Sequence, residues 1–212
     1  MSRQNRLKIS FVLNILIFIL EVIGGYLAWI RSGWTFIEFY TEDSNTIAMF
    51  ASLFLAVYEY GMIKHGTDTL PGWLKGLKYF AAVSLILTFL VVVCLLIPMQ
   101  GGFSAASFLL LDGSMLYRHL LCPALTFISF LWFDPIGTLT KKDVLLSMLP
   151  TLIYALILMA LNLMRVVEGP YPFLRVYEQP VYMSIIWVIV ILGSAYGIAF
   201  LLASLLNRLT NR

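Results

Sequence analysis

The chain has 212 residues and a mass of 24.0 kDa, and 61% of its residues are hydrophobic while only 12% are charged. Because soluble domains carry roughly 25% charged residues, this composition, with a mean hydropathy of +0.92, excludes a soluble enzyme and indicates a membrane protein. The net charge of +3 comes from basic residues scattered along the chain, so we do not expect nucleic acid as a partner.

Six apolar segments follow one another, and each is close to the roughly 20 residues that a membrane helix needs. They cover residues 9–30, 45–62, 77–99, 114–133, 144–164 and 181–206. Turn-forming glycine and proline residues separate them, and the first segment is too long for a signal peptide. We therefore predict a single all-α integral membrane domain over residues 1–212 with six transmembrane helices.

Basic residues are unevenly divided between the two sides of these predicted spans. The side that holds both termini has ten lysine and arginine residues, and the other side has four. Because positive charge favours the cytoplasmic side, we predict that both termini are cytoplasmic and that the loops after the first, third and fifth spans face outward. Short loops without an organelle signal favour a bacterial plasma membrane, with an endoplasmic reticulum membrane as the alternative.

Polar residues near the predicted outer face are the first functional candidates. His119 lies about five residues inside the fourth span, about 7 to 8 Å below its outer end. Residues 41–45 (Thr-Glu-Asp-Ser-Asn) open the second span. An ionisable group at membrane depth is costly and marks a functional candidate. The structural alternatives are a core histidine bonded to a neighbouring helix, and Thr41 as a helix cap.

Other polar residues inside the spans also need partners. Glu21 shares a helix face with Asn14, Gly24 and Gly25, so this face is predicted to pack against other helices. For Glu21 itself we expect a structural polar contact, with a role in the site or in proton transfer as the alternative. Glu59, near the cytoplasmic end of the second span, is predicted to be interfacial. Asn162 can form an interhelical hydrogen bond or reach the outer pocket.

Motifs of the common enzyme classes are absent from the sequence, including HExxH, CxxC, the Walker A loop, GxGxxG and GxSxG. The two histidines, His65 and His119, fall on opposite sides of the predicted membrane, so we expect no metal site and no cofactor. What remains is a hydroxyl with a histidine, namely Thr41 as nucleophile and His119 as general base at similar depth. Chemistry of this kind acts on an acyl group.

Three short segments surround these candidates: residues 39–45 (Phe-Tyr-Thr-Glu-Asp-Ser-Asn), 119–123 (His-Leu-Leu-Cys-Pro) and 171–174 (Tyr-Pro-Phe-Leu). Together they resemble the androgen-induced protein family and its small bacterial relatives. The eukaryotic members of that family are described as threonine hydrolases that cleave fatty acid esters of hydroxy fatty acids within the membrane. The resemblance implies that Thr41 is the nucleophile, that His119 is the base and that the substrate is a lipid ester.

We expect such a lipid to enter from the outer leaflet, with the lipid and the bilayer as the partners and a homodimer as an open alternative. The negative charge that develops on the carbonyl oxygen needs hydrogen-bond donors. The candidates for these donors or for substrate binding are Ser44, Asn45, Arg118 and Asn162, besides backbone N–H groups of the second helix. Arg118 can instead bind a headgroup, and residues 171–174 can form a lid or a membrane-interface anchor.

Two other functional classes stay open. A small transporter or channel would line a polar path with Glu21, His119 and Asn162, and a non-enzymatic membrane scaffold would need no site. A transporter requires polar residues that continue toward the cytoplasmic side. We predict instead that the third, fourth and sixth spans are almost wholly apolar below their outer third, which favours the hydrolase.

Overall fold

The computed structural model describes residues 1–67 and 69–211. Within them, six helices are long and apolar enough to cross a membrane, which confirms the predicted all-α membrane fold. One shorter helix lies between the third and fourth spans. In chain order the helices are α1 (Arg3–Ser32), α2 (Tyr40–His65), α3 (Gly72–Met99), α4 (Phe103–Leu111), α5 (Leu116–Phe133), α6 (Lys141–Leu163) and α7 (Val181–Thr210).

Both termini lie at the same end of the bundle. The Arg6 side chain donates to the carbonyl of Asp134, which follows α5, at 3.5 Å. Asn207, near the end of α7, bonds both the N–H and the carbonyl of Leu139 at 2.8 Å. We call this end the Asp134 end and the opposite one, where α2 begins, the Thr41 end. The side of the membrane that each end faces stays a prediction from charge.

The second helix extends beyond the apolar run of residues 45–62, as expected from residues 41–45 opening it. Helix α2 starts at Tyr40, so residues 41–45 lie inside its first turns and not before them. Glu42 and Asp43 suit this position because their charges stabilise the positive end of the helix dipole. The helix ends at His65, and the next residue, Gly66, caps it with φ 68°, in the left-handed conformation that glycine accepts without strain.

Helix α5 contains a widened turn at the Thr41 end. Residues Leu116–Leu121 form a π-helical turn, in which the N–H of Cys122 reaches back to the carbonyl of Tyr117. Pro123 follows and has no N–H, so it cannot donate to the preceding turn as a regular helix requires. Widened turns of this kind occur frequently at functional sites. This one carries His119.

Helices α1 and α5 approach closely through a glycine. A Cβ atom on Gly24 would lie 2.9 Å from the Cβ atom of Tyr117 and 3.1 Å from Cγ of Arg118. Glu21, on the preceding turn of α1, is 1% exposed. The prediction that this face of the first span packs against other helices is confirmed.

The buried charged residues of the bundle form two clusters, one toward each end. At the Asp134 end, Lys78 of α3, Ser129 of α5 and Asp134 are all completely buried. The prediction that the third and fourth spans are almost wholly apolar below their outer third was therefore wrong. Lys78 and Asp134 lie close to helix ends, and each is buried because it finds its partner in another part of the chain.

Candidate functional site

Thr41 and His119 line the same cavity, which has a volume of about 260 Å³ and lies at the Thr41 end of the bundle. Its walls come from the end of α1, the first turn of α2, the region from α3 to the start of α5, and residues 170–172 before α7. Its polar lining residues are Arg31, Ser32, Thr41, Glu42, Gln100, Ser114, His119 and Tyr171. The topology predicted from the sequence thus brought the two candidate residues to one place.

Thr41 is the second residue of α2 and is 6% exposed. Its hydroxyl oxygen lies 3.3 Å from the hydroxyl of Tyr171, and its backbone N–H donates to that same hydroxyl at 3.3 Å. The residue before the helix is Phe39, whose side chain makes no cap hydrogen bond. The hypothesis that Thr41 serves as the helix cap was wrong, because its backbone already belongs to the helix and its side chain turns to Tyr171.

His119 is held by a backbone carbonyl. Its Nδ1 atom lies 2.6 Å from the carbonyl oxygen of Leu109 in α4. Since a carbonyl oxygen only accepts hydrogen bonds, Nδ1 carries the hydrogen in the neutral ring, and Nε2 keeps its lone pair. The alternative of a core histidine bonded to a neighbouring helix describes Nδ1 correctly. It leaves Nε2 able to act as a base.

The two candidate catalytic side chains share the cavity without touching. Over residues 1–67 and 69–211, Thr41 bonds Tyr171 and His119 bonds Leu109, with no direct hydrogen bond between the pair. In an unliganded site, catalytic hydrogen bonds are often long or incompletely aligned and tighten only around the substrate. A hydrolase therefore requires Thr41 to exchange its contact with Tyr171 for one with His119.

The sequence did not predict that Tyr171 contacts the hydroxyl and the backbone N–H of Thr41. Tyr171 is 7% exposed, and its ring stacks on Phe173 with 5.1 Å between centroids while Phe39 meets it edge-on at 5.8 Å. Burial raises the pKa of Tyr171 to about 12, so its hydroxyl keeps its proton at neutral pH. The interface-anchor alternative for residues 171–174 was wrong, because Tyr171 and Phe173 are buried and form a wall of the site.

A second, smaller cavity lies on the other side of this wall. Its volume is about 50 Å³, and Thr41, Tyr171 and Leu96 line both cavities. Apart from hydroxyl-bearing residues near Thr41, the lining is apolar and comes from α3, α6, α7 and residues 173–174, including Val91 and Ile191. Thr41 thus stands between a cavity with a partly polar lining and an apolar one.

Arg118 was a candidate for oxyanion or headgroup binding, and the structure corrects that expectation. Its guanidinium group forms ion pairs with Glu21 at 3.0 Å and with Glu42 at 2.5 Å, and its side chain is 3% exposed. The polar contact predicted for Glu21 is confirmed by this ion pair. Gly25 leaves room for the guanidinium, since a Cβ atom there would lie 3.3 Å from Nη2 of Arg118.

Ser44 and Asn45 were also candidates for the oxyanion, and their donors are engaged elsewhere. The Ser44 hydroxyl donates to the carbonyl of Thr41 at 2.9 Å and contacts the Thr88 hydroxyl at 2.9 Å. The Asn45 amide donates to the carbonyls of Thr41, at 2.7 Å, and Arg118, at 3.2 Å. These side chains therefore fix the first turn of α2 against α3 and α5 and do not present donors to the cavity.

Asn162 does not reach the cavity of Thr41 and His119. Its amide donates to the carbonyl of Val167 at 2.9 Å, and its oxygen accepts from the N–H of Val176 at 3.0 Å. It lines a separate surface pocket with Arg165 and Arg175. The expected interhelical hydrogen bond was also wrong, because Asn162 fastens the end of α6 to the loop before α7.

Glu59 was predicted to be interfacial, and this was wrong. It is completely buried and contacts the Ser10 hydroxyl and the Asn14 amide of α1. A position between two tyrosines near a helix end is typical of the membrane interface, yet the carboxyl group points into the bundle.

Comparison with known proteins identifies no relative: no family model, no curated protein and no solved structure matches the chain. The resemblance to the androgen-induced protein family therefore rests on the three short segments around Thr41, His119 and Tyr171. Among the described residues, no group of three histidine, cysteine, aspartate or glutamate side chains is arranged to hold a metal ion.

Proposed function

We propose that the chain is an intramembrane hydrolase of lipid esters, with Thr41 as the nucleophile and His119 as the general base. The observation that carries the proposal is that both side chains line one cavity, while Thr41 also lines the apolar cavity behind it. A nucleophile for a lipid ester needs this position, because the carbonyl must meet polar groups while the acyl chain stays among apolar side chains.

The reaction follows from the protonation of His119. Nε2 takes the proton from the Thr41 hydroxyl as that oxygen attacks the ester carbonyl carbon, and the carbonyl oxygen becomes an oxyanion. Collapse of this intermediate breaks the bond to the alcohol oxygen, which takes the proton back from Nε2. Water, deprotonated by His119, then attacks the acyl-threonine and releases the carboxylic acid. The Leu109 carbonyl keeps the His119 ring oriented through Nδ1 during both acylation and deacylation.

The oxyanion donors in this proposal are the Tyr171 hydroxyl and the N–H of Thr41, in place of Ser44, Asn45 and Arg118. These two donors already meet next to the Thr41 hydroxyl, where the N–H contacts the Tyr171 oxygen. The N-terminal end of α2 adds the positive end of a helix dipole. Because the pKa of Tyr171 is raised to about 12, the phenol acts as a donor and not as a base.

The substrate class is inferred from the surroundings of Thr41. We assign the acyl segment next to the carbonyl to the apolar cavity and the alcohol part to the larger cavity, whose lining includes Arg31 and Gln100. Fatty acid esters of hydroxy fatty acids, implied by the family resemblance, suit this division. The predicted orientation would make the outer leaflet of a bacterial plasma membrane the source of the lipid.

A transporter is the second candidate, because buried charged residues also occur at the Asp134 end, opposite the cavity of Thr41 and His119. Lys78 and Asp134 supply buried groups in the half where the sequence suggested apolar spans. However, Ile17 of α1 and Ala48 and Ala51 of α2 are completely buried between the two polar ends. Ser84 of α3 and Thr126 of α5 are also buried in this middle part, but the buried charged side chains of the described residues lie only in the two clusters, so no charged path joins them and the hydrolase is favoured.

The test uses the full chain purified in detergent, a fluorophosphonate probe and a panel of lipid esters. Thr41→Ala and His119→Ala should each abolish labelling and ester cleavage while the melting temperature is retained. Thr46→Ala is the matched control for Thr41, because Thr46 lies on the same helix and bonds the Glu42 carbonyl at 2.8 Å. His65→Ala is the control for His119, because His65 is exposed at the other end of α2.

The outcomes separate the functional classes. Labelling that persists in Thr41→Ala would remove Thr41 as the nucleophile. If the folded wild-type protein neither reacts with the probe nor cleaves any ester of the panel, the hydrolase proposal is contradicted and the transporter becomes the favoured function.

A further inference from the structure

A second cluster of buried polar side chains lies at the Asp134 end, apart from Thr41 and His119. Its members come from α1, α2, α3 and α5 and from the residue after α5, and all are completely buried. They are Ser10, Asn14, Glu59, Lys78, Ser129 and Asp134. With every ionisable group charged, two carboxylates would face one ammonium group, and the cluster would hold a net charge of −1.

Lys78 and Asp134 form the charged pair of this cluster. The Lys78 ammonium group lies 2.6 Å from the Asn14 amide oxygen, 3.1 Å from the Ser52 hydroxyl and 3.6 Å from Oδ2 of Asp134. Three acceptors thus surround a group with three N–H donors. Asp134 Oδ1 accepts from the Ser129 hydroxyl at 2.6 Å and from the Asn14 amide at 3.0 Å. These donors stabilise Asp134 as a carboxylate.

The Ser10 hydroxyl decides the protonation of Glu59. It lies 2.7 Å from Oδ1 of Asp134 and also makes a hydrogen bond with Oε1 of Glu59. A serine hydroxyl has one hydrogen, so it can donate to only one of these carboxyl oxygens. Because Oδ1 of Asp134 is an acceptor for its other neighbours, the Ser10 hydrogen goes to Asp134. The second bond then requires a hydrogen on Glu59.

A second oxygen in the cluster is able to accept a proton. Oδ2 of Asp134 is buried, and it receives no hydrogen bond from any residue in the described ranges 1–67 and 69–211. It faces the Lys78 ammonium group, which keeps a proton off this oxygen as long as Lys78 is charged. The geometry therefore offers two carboxyl groups and favours Glu59 for the proton.

We propose that this cluster is a proton-binding site in which Glu59 carries one proton while Lys78 and Asp134 form an ion pair. The bound proton makes the cluster neutral, which matters because an uncompensated buried charge is strongly destabilising. Loss of the proton removes the Glu59 to Ser10 hydrogen bond, which joins α2 to α1. Arg6, which donates to the Asp134 carbonyl at 3.5 Å, is the further charged side chain at this end of the cluster.

Infrared spectroscopy of the full chain in lipid bilayers tests the site directly. A protonated carboxyl group gives a carbonyl stretch that a carboxylate lacks, and this band shifts in D₂O. At neutral pH, the spectrum of wild type minus Glu59→Gln should contain such a band. In Asp134→Asn the neutral state of the cluster is a Glu59 carboxylate with the Lys78 ammonium group, so the band should be lost there as well. Glu178→Gln, which changes an exposed carboxylate at the other end of the molecule, is the control and should leave the band unchanged.

Thermal unfolding of the same variants gives a second readout. Glu59→Gln replaces a neutral group by a neutral group that can still donate to Ser10, so its melting temperature should stay near that of wild type. Asp134→Asn removes the carboxylate that pairs directly with Lys78 and should lower the melting temperature by several degrees. A complete carboxyl band in Glu59→Gln, or equal destabilisation of both variants, would each overturn the proposal.

Discussion

The two ends of the bundle contain similar charged groups in different surroundings. At the Thr41 end, Arg118 pairs with Glu21 and Glu42. At the Asp134 end, Lys78 lies beside Asp134, with Glu59 in the same cluster. In both places a cation on one helix forms an ion pair with a carboxyl group from another part of the chain.

The difference lies in what fills the space next to the charges. At the Asp134 end, serine hydroxyls and the Asn14 amide occupy the space around the carboxyl groups and donate to Oδ1 of Asp134. At the Thr41 end, Glu42 borders a cavity of about 260 Å³ together with Thr41 and His119. A buried charge in a membrane span therefore does not identify an active site by itself, and the decisive feature is an adjacent cavity that a substrate can enter.

The largest effect that would sharpen this contrast is the loss of activity in Thr41→Ala. We expect kcat for the best ester to fall by at least about 10³-fold, since removal of the nucleophile eliminates the covalent route. The melting temperature should change little, because the Thr41 hydroxyl makes only a 3.3 Å contact with Tyr171. Steady-state kinetics beside a thermal unfolding curve would check both. Full activity in this variant would show that Thr41 is not the nucleophile, and the Thr41 end would no longer differ from the Asp134 end as the active site.

The opposite pattern is expected for Lys78→Met. This change leaves Asp134 as a buried carboxylate without its cation, which should destabilise the protein by about 3 to 5 kcal/mol. The activity of the molecules that stay folded should match wild type, because Lys78 is remote from the cavity. The double variant Lys78→Met/Asp134→Asn should recover part of the lost stability. Equal stability of the single variant and wild type would show that the ion pair is not structural.

Much of the fold could be predicted from the sequence because membrane spans depend mainly on local composition. The six apolar runs gave the helices to within a few residues, and the shared face of Glu21 and Gly24 indicated a packed surface. Alternation of the spans also put Thr41 and His119 at one end. These inferences need only helix length, helix periodicity and the order of the segments.

The rest depended on contacts between distant parts of the chain. Glu59 and Lys78 lie near helix ends, where the local sequence is the same whether a side chain faces water or a partner on another helix. Only the bundle geometry brings Asp134 beside both. Residues 171–174 were predicted to form a lid or an anchor, but the hydrogen bonds of Tyr171 with Thr41 join residues 130 positions apart. Hydrogen-bond partners at such separations are set by tertiary packing and not by sequence pattern.

A smaller effect on activity is expected from Tyr171→Phe. The change removes the proposed oxyanion donor while the aromatic packing against Phe39 and Phe173 is kept. We expect kcat to fall by about 10²-fold with KM little changed, because the donor acts mainly in the transition state. Tyr177→Phe is the control, since Tyr177 bonds the Leu163 carbonyl outside the cavity. An unchanged kcat would leave the Thr41 N–H as the remaining donor of this pair.

The smallest of these effects concerns the packing that supports the Thr41 end. In Gly24→Ala, the new methyl group would lie 2.9 Å from Tyr117 and 3.1 Å from Arg118, both on the widened turn of α5 that carries His119. Overpacking of this kind costs about 1 to 3 kcal/mol. Gly61→Ala is the matched control, because a Cβ atom there meets nothing within 4 Å and alanine favours a helix.

If the widened turn positions His119 as well as Arg118, Gly24→Ala should also lower ester cleavage several-fold, in proportion to how far the turn is displaced. Lys78→Met, in contrast to Gly24→Ala, should lower the stability of the protein without lowering ester cleavage by the folded molecules. Thermal unfolding and kcat measured on the glycine variants together would separate the two cases. A Gly24→Ala protein that is destabilised but fully active would mean that α5 can shift against α1 without moving the His119 ring, which its bond to the Leu109 carbonyl would then hold in place.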